Sequence, residues 1–231
     1  FEDRLVIRTQ GQRIEQQSNV VVNLDRGPGQ IWRDYLPKVR KNVNRARQNG
    51  LRVVFDPHGS YLDQFLGVYH DTMARTGATE SFFLGKDKFE LLGQTLGAVG
   101  GLSYVHVFDG EKMIFTELLL LSPDTIYSFL GGTLSSCFEK RPNDLLKHEV
   151  IEWGAARGFK HYVLGGGISA GDGIFTYKRA FDPSGIHPFF VRRIQHSPER
   201  YDQLTWKRMR YEHAKKNNWK PREDFFPAYL A

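Results

Sequence analysis

Three apolar runs follow one another at residues 103–108, 113–121 and 125–130, and the first two are joined by Asp109-Gly110. Both residues of that pair tolerate positive φ, so Asp-Gly between apolar runs is a strong hairpin signal. A three-strand antiparallel meander is therefore expected in the middle of the chain, and every other element has to pack around it. The longest strongly apolar stretch, 114–121, is broken by Thr116 and Glu117. It falls far short of the roughly 20 residues a membrane-spanning helix needs.

The flanks read as alternating helices and strands. Residues 20–24 form a short strand, and after the turn Gly27-Pro28-Gly29 one helix spans 30–48. Its positions Leu36, Val39, Val43 and Ala46 share a face, and Gly50 stops it. A strand at 51–55 and helices at 61–75 and 86–96 precede the meander. Asn143 is placed to cap a helix over 143–157, with Leu146, Val150 and Trp153 inward and Gly158 as the stop. A strand at 161–164 runs into Gly165-Gly166-Gly167. A strand at 188–194 and a helix from Ser197 to about residue 217, with Pro198 in its first turn, follow. This order predicts an α+β fold, a sheet with helices on its faces.

At 231 residues the chain has room for one large domain or two small ones. Hydrophobic residues make up 40% and charged residues 25%, a balance that buries a core. Cys137 is the single cysteine, which excludes an intrachain disulfide and a Cys-rich zinc site and fits a reducing, cytoplasmic setting. The net charge of +6 and pI near 9.4 favour polyanionic partners such as tRNA, nucleotide pyrophosphates or an anionic membrane surface. Charge alone does not choose among them, nor does it exclude a basic protein with no anionic ligand.

Three motif readings fail on their surroundings. Gly167-Ile168-Ser169-Ala170-Gly171 matches the G-x-S-x-G nucleophile elbow and follows a predicted strand. An elbow needs a helix straight after its serine and further parallel strands carrying Asp and His. Asp172 and Gly173 read as interrupting any such helix. Gly165, Gly167 and Ala170 also satisfy G-x-G-x-x-A, but that fingerprint should open a βαβ unit with an acid about 20 residues on. The eight histidines show no H-E-x-x-H or paired ligand spacing, so no metal site is expected.

The segment 38–47, KVRKNVNRAR, carries five cations and no carboxylate while its apolar residues keep helical spacing. One face packs and the rest is positive. Such a surface either neutralises phosphates or is simply solvated.

At this point the residues resemble a known family, the Fem (FemABX) peptidoglycan aminoacyltransferases and their relatives with an acetyltransferase-like (GNAT) domain. VVVNL and KVRKNVNRARQNGL are similar to the start of the second such domain. YSFLGGT at 127–133 and RPNDLLKHEVIEWGAARGFKHYVLGGG at 141–167 resemble its central strand, helix and strand, and GIFTYKRAF at 173–181 its closing glycine, aromatic-Lys and Phe signature. The resemblance covers about residues 20–194. It implies a mixed, largely antiparallel sheet flanked by helices. Members of the family commonly carry two such domains in tandem, so residues 1–19 read as a remnant of, or linker from, a preceding domain, and 195–231 as a C-terminal helix and tail.

The activity the resemblance implies is transfer of an amino acid from aminoacyl-tRNA to an amine of a peptidoglycan precursor, with no cofactor or metal, in the cytoplasm or at the inner face of the membrane. Some relatives use acyl-CoA, but the Q/R-x-x-G-x-G/A pyrophosphate loop such enzymes carry before the central helix is missing here. Gln94-Thr-Leu-Gly-Ala98 matches it in part, in the wrong place. A non-catalytic anion- or nucleic-acid-binding module is the third reading. Aminolysis of an ester needs positive charge near the developing oxyanion, and Lys178, at the family's lysine position, is assigned that role. Its alternative is a lysine that snorkels to solvent from a core of aromatics. Asp172 and Glu149 are the candidate general bases. Phe175, Tyr177 and Phe181 would wall the site, Gly131 and Gly132 would approach the substrate, and Lys38, Arg40, Lys41 and Arg45 would contact phosphates of the donor or acceptor.

Overall fold

The structure, a computed structural model, describes residues 11–169, 171–222 and 225–230. In chain order come β1 (Gln12–Glu15), β2 (Asn19–Asn23), α1 (Pro28–Asp34), α2 (Pro37–Gln48) and β3 (Arg52–Asp56). Then follow α3 (Leu62–Thr76), α4 (Lys86–Thr95), β4 (Leu102–Asp109), β5 (Lys112–Leu121) and β6 (Thr125–Thr133). The remainder is α5 (Pro142–Ala156), β7 (His161–Gly165), α6 (Gly173–Arg179), β8 (Ile186–His187), β9 (Phe190–Arg193) and α7 (Pro198–Ala214). The chain divides into two compact units, Gln17–His187 and the terminal segments Phe1–Gln16 with Pro188–Ala231.

The larger unit holds a seven-stranded sheet in the order β3-β4-β5-β6-β7-β2-β8. All neighbours run antiparallel except β6 and β7, which are parallel. Successive strand residues face opposite sides, and the two sides carry different cores. On one side Phe65, Tyr69 and Phe89 of α3 and α4 pack on Tyr104 and Leu118. On the other, Val39 and Val43 of α2 and Leu146 and Val150 of α5 pack on Val105, Leu119 and Ile126. Helix α3 approaches the sheet closely at Gly132, where an added Cβ would stand 2.6 Å from the Val68 carbonyl oxygen and from Thr72 Oγ1.

Four expectations need correction. The helix expected over 30–48 is two helices, because Pro37 removes an amide donor and forces Leu36 into extended backbone, φ −57 and ψ 145. Asn143 does not cap α5. Arg141, in the left-handed region at φ 62, holds that place with Pro142 behind it, and the Asn143 side chain bonds the Thr133 hydroxyl instead. Asp172 and Gly173 do not interrupt a helix but start one: Asp172 caps α6, accepting from the Phe175 amide. The third meander strand continues through Gly131 and Gly132 to Thr133.

In the smaller unit β1 pairs antiparallel with β9, and Ser197 caps α7 as expected, accepting from the Arg200 amide. The expected domain remnant at 1–19 falls partly outside the described residues, as do Ala170 of the glycine pattern and residues 223, 224 and 231.

Candidate active site

Strands β6 and β7 pair for only three residues, Thr125–Tyr127 against His161–Val163. Beyond that point β6 remains paired with β5 on one side and β7 with β2 on the other, and the ladder between the two parallel strands ends. Ser128 is the first β6 residue past the shared ladder. Its hydroxyl donates to Glu117 of β5 and lies 2.8 Å from Lys147 Nζ of α5. Lys147 pairs with Glu117 and reaches the Tyr162 hydroxyl at 3.2 Å, and that hydroxyl donates to the second Glu117 oxygen at 3.2 Å. Glu117 and Lys147 are both buried. An ion pair survives there because every donor and acceptor is met.

Lys178 enters from the β7 side. Its Nζ donates to the Gly166 carbonyl at 2.7 Å. A Cβ on Gly165 would lie 3.3 Å from that nitrogen, at a φ of +81 that L residues rarely adopt, so the glycines that follow β7 leave room for the ammonium. Burial, helped by the nearby Lys147 charge, pushes Lys178 down to about 8, against Glu117 and Asp172. At neutral pH it is a half-buried cation.

Helix α6, which carries Lys178, is pinned at both ends. The Asp172 carboxylate accepts from the amides of Ile168, Ser169 and Phe175 at 2.6, 3.1 and 2.7 Å, and these donors hold it below the ordinary carboxylate range. At the other end Phe181 is fully buried, its ring 5.4 Å from Tyr177 and 5.5 Å from Tyr35, and the Asp182 carboxylate after it is paired with Arg26. The Tyr177 hydroxyl is buried and has no hydrogen-bond partner. Burial and the Asp144 and Glu117 carboxylates push it well above its usual range. Asp144, in the first turn of α5, accepts from Asn42 at 3.2 Å, and burial lifts it to about 6.

The structure thus gathers Lys178, Tyr177 and Asp172 with Glu117, Ser128, Lys147, Tyr162 and Asp144, five residues that sequence reasoning missed. The one carboxylate of the mostly apolar strand β5, Glu117, was the available signal. Phe175 is half-buried and packs on the same core. Glu149 is placed elsewhere, on the exposed side of α5, paired with Arg47 at 3.0 Å. Gly131 and Gly132 face neither Lys178 nor Tyr177: a Cβ on either would meet the backbone of β5 or α3. Lys38, Lys41 and Arg45 lie exposed on α2, whereas Arg40 turns inward to cap α1, donating to the Arg33 carbonyl at 2.9 Å and to that of Tyr35.

A mostly antiparallel sheet whose one parallel pair parts beside a half-buried lysine is the setting of an acyltransferase in this chain. The chain belongs to the acetyltransferase (GNAT) domain family, whose model matches residues 33–179. Among solved structures the fold is similar to FemX, at 13% identity and a TM-score of 0.63, over 78% of this chain and 62% of that one. It is also similar to the C-terminal domain of a putative lysylphosphatidylglycerol synthetase from Agrobacterium fabrum (14%, TM-score 0.58, 78% and 60%) and to L-PGS from Bacillus licheniformis (13%, 0.56, 82% and 64%). The chain spans less than two thirds of each of these structures. No curated protein matches its sequence. No described helix is long and apolar enough to cross a membrane.

Proposed function

We propose that this domain transfers an aminoacyl group from aminoacyl-tRNA to an amine of a peptidoglycan precursor, with Lys178 as the electrostatic catalyst. The observation that carries the reading is the Lys178 ammonium, anchored on the Gly166 carbonyl at 2.7 Å beside the opening between β6 and β7. An acyl ester laid in that opening would have its carbonyl oxygen near a desolvated cation. Attack by a neutral amine then forms the C–N bond, the ribose oxygen departs with the ester electron pair, and the amine proton passes to a base or to that oxygen. Asp144, lifted to about 6, fits a base better than Asp172, whose lone pairs are taken by three amides.

The donor is argued from the chain before α5. Residues Ser135–Lys140 form a 3-10 turn followed by Arg141 and Pro142, with no glycine to bare the run of amides that a pyrophosphate would need. An acyl-CoA donor is the second reading because the family bears the acetyltransferase name.

Incubation of the protein with charged tRNA or acetyl-CoA, each with an amine acceptor, and mass spectrometry of donor and product tests this. Consumption of charged tRNA alone is expected, slowed about a hundredfold in Lys178→Ala. An unchanged rate in that variant removes Lys178 from the mechanism. Consumption of acetyl-CoA alone moves the reading to the second donor, and tRNA binding with neither donor consumed identifies a binding module.

A further inference from the structure

We propose that His148, Glu149 and Glu152 on α5 form a binding site for one divalent transition-metal ion of the zinc type. His148 is only 3% exposed, and its Nε2 is buried without a hydrogen-bond partner. A buried ring nitrogen left unpaired is costly. This one lies 3.4 Å from Glu152 Oε1. Two donors each 2.0–2.2 Å from a tetrahedral zinc stand about 3.4 Å from one another, so the pair has the separation of two ligands on one ion.

Glu149 supplies a third donor. One ligand atom from each of the three residues lies within 4.8 Å of the others, and Glu149, 29% exposed at the solvent edge, is the one whose side chain has room to move toward the ion. The other face of the imidazole is already organised. The Tyr35 hydroxyl sits 3.3 Å from Nδ1; with an ion bound, the proton on Nδ1 and that hydroxyl as its acceptor, the Nε2 lone pair is the one turned toward the glutamates. Trp32 packs against the ring, centroids 4.9 Å apart.

Arg47 now occupies the mouth, its Nη2 3.0 Å from Glu149 and 3.8 Å from Glu152. One guanidinium leaves two carboxylates half-compensated, whereas a divalent ion neutralises both and also takes the free nitrogen. Arg47 is 46% exposed and free to swing into solvent. Histidine spacing gave no hint of this site because one histidine is joined here by carboxylates one and four residues on.

Titration of the tag-free protein with Co2+, followed by its visible absorption, and with Zn2+ by calorimetry tests the site without reference to transfer activity. One ion per chain is expected, held at least about tenfold more weakly by Glu152→Gln and by Glu149→Gln, both with unaltered circular dichroism. No saturable uptake by the parent protein, or uptake of equal strength in both variants, overturns the proposal.

Discussion

The two faces of the central sheet each bury a polar cluster, and the two differ in what they leave undone. On the α3 face His106 bonds Thr116 Oγ1 through Nδ1 at 2.7 Å and faces Asp56 through Nε2 at 3.4 Å, while Asp56 also accepts from the amides of His58 and Tyr61. By residue type this is an acid, an imidazole and a hydroxyl in series. Yet all three are buried, the imidazole and hydroxyl completely, and none of them lines the roughly 720 Å³ cavity between the start of α3, α4 and β4. On the α5 face the Tyr177 hydroxyl lacks a partner, and Lys178, half-buried, spends one bond on a carbonyl. The α3 face is satisfied throughout; the α5 face joins a satisfied ion pair, Glu117 with Lys147, to two groups with bonding capacity to spare.

The largest expected effect is on stability, and it separates a buried charged pair from a buried neutral bond. Lys147→Met strands the Glu117 charge in the core and should cost about 3–5 kcal/mol in urea unfolding, most of it recovered in the double variant Lys147→Met/Glu117→Leu. Thr116→Val on the other face removes one neutral bond and should cost about 1 kcal/mol with transfer unchanged. A loss for Lys147→Met no greater than that for Thr116→Val would show that Glu117 does not depend on Lys147 for its charge compensation.

The pH responses should also separate the clusters. Lys178 acts as a cation, and its charge disappears as pH rises through about 8, so kcat/KM should fall along that limb, and Lys178→Arg, charged throughout, should move the fall upward. A limb that stays put in Lys178→Arg assigns it to another group. Burial alone would raise Asp56, but bonds from His106 and from the Ser60 and Tyr61 amides outweigh it and hold the carboxyl well below its ordinary value. A depressed native value stabilises above the unfolded value near 4 and is lost as pH falls below it. Asp56→Asn should therefore flatten the acid limb of urea midpoints between about pH 4 and 2 while leaving the alkaline limb of transfer alone.

The fold was legible because it is written in short-range signals. Asp109-Gly110 fixed the hairpin, the run 38–47 marked one helix face, and Ser197 capped its helix as its side chain predicts. The misses arise where one residue has two uses: Pro37 ends one helix and begins another, and Asp172 looks like loop chemistry until its three amide bonds make it a cap. Lys178 was singled out from GIFTYKRAF. Glu117, Ser128, Lys147 and Tyr162 were not, since they come from four elements and meet only when β6 and β7 part. Glu149 and Lys178 are both charged residues beside apolar ones, and no spacing rule tells which of them reaches that opening.

The smallest expected effect is the sharpest. Tyr162 and Tyr177 are both buried tyrosines raised above their usual range, but the Tyr162 hydroxyl is bonded to Glu117 and Lys147 while that of Tyr177 is bonded to nothing. Tyr162→Phe leaves two charged groups short of a partner and should lose about 1–3 kcal/mol. Tyr177→Phe removes an unmet hydroxyl without opening a cavity and should leave stability unchanged or raise it by up to about 1 kcal/mol. If that hydroxyl awaits the acyl donor, the same variant should transfer more slowly, gaining stability as it loses rate. Thermal melts and single-turnover transfer on one preparation read both. A variant that is less stable and equally fast would mean that the Tyr177 hydroxyl is structural, and the opening beside Lys178 would lose its second polar contact.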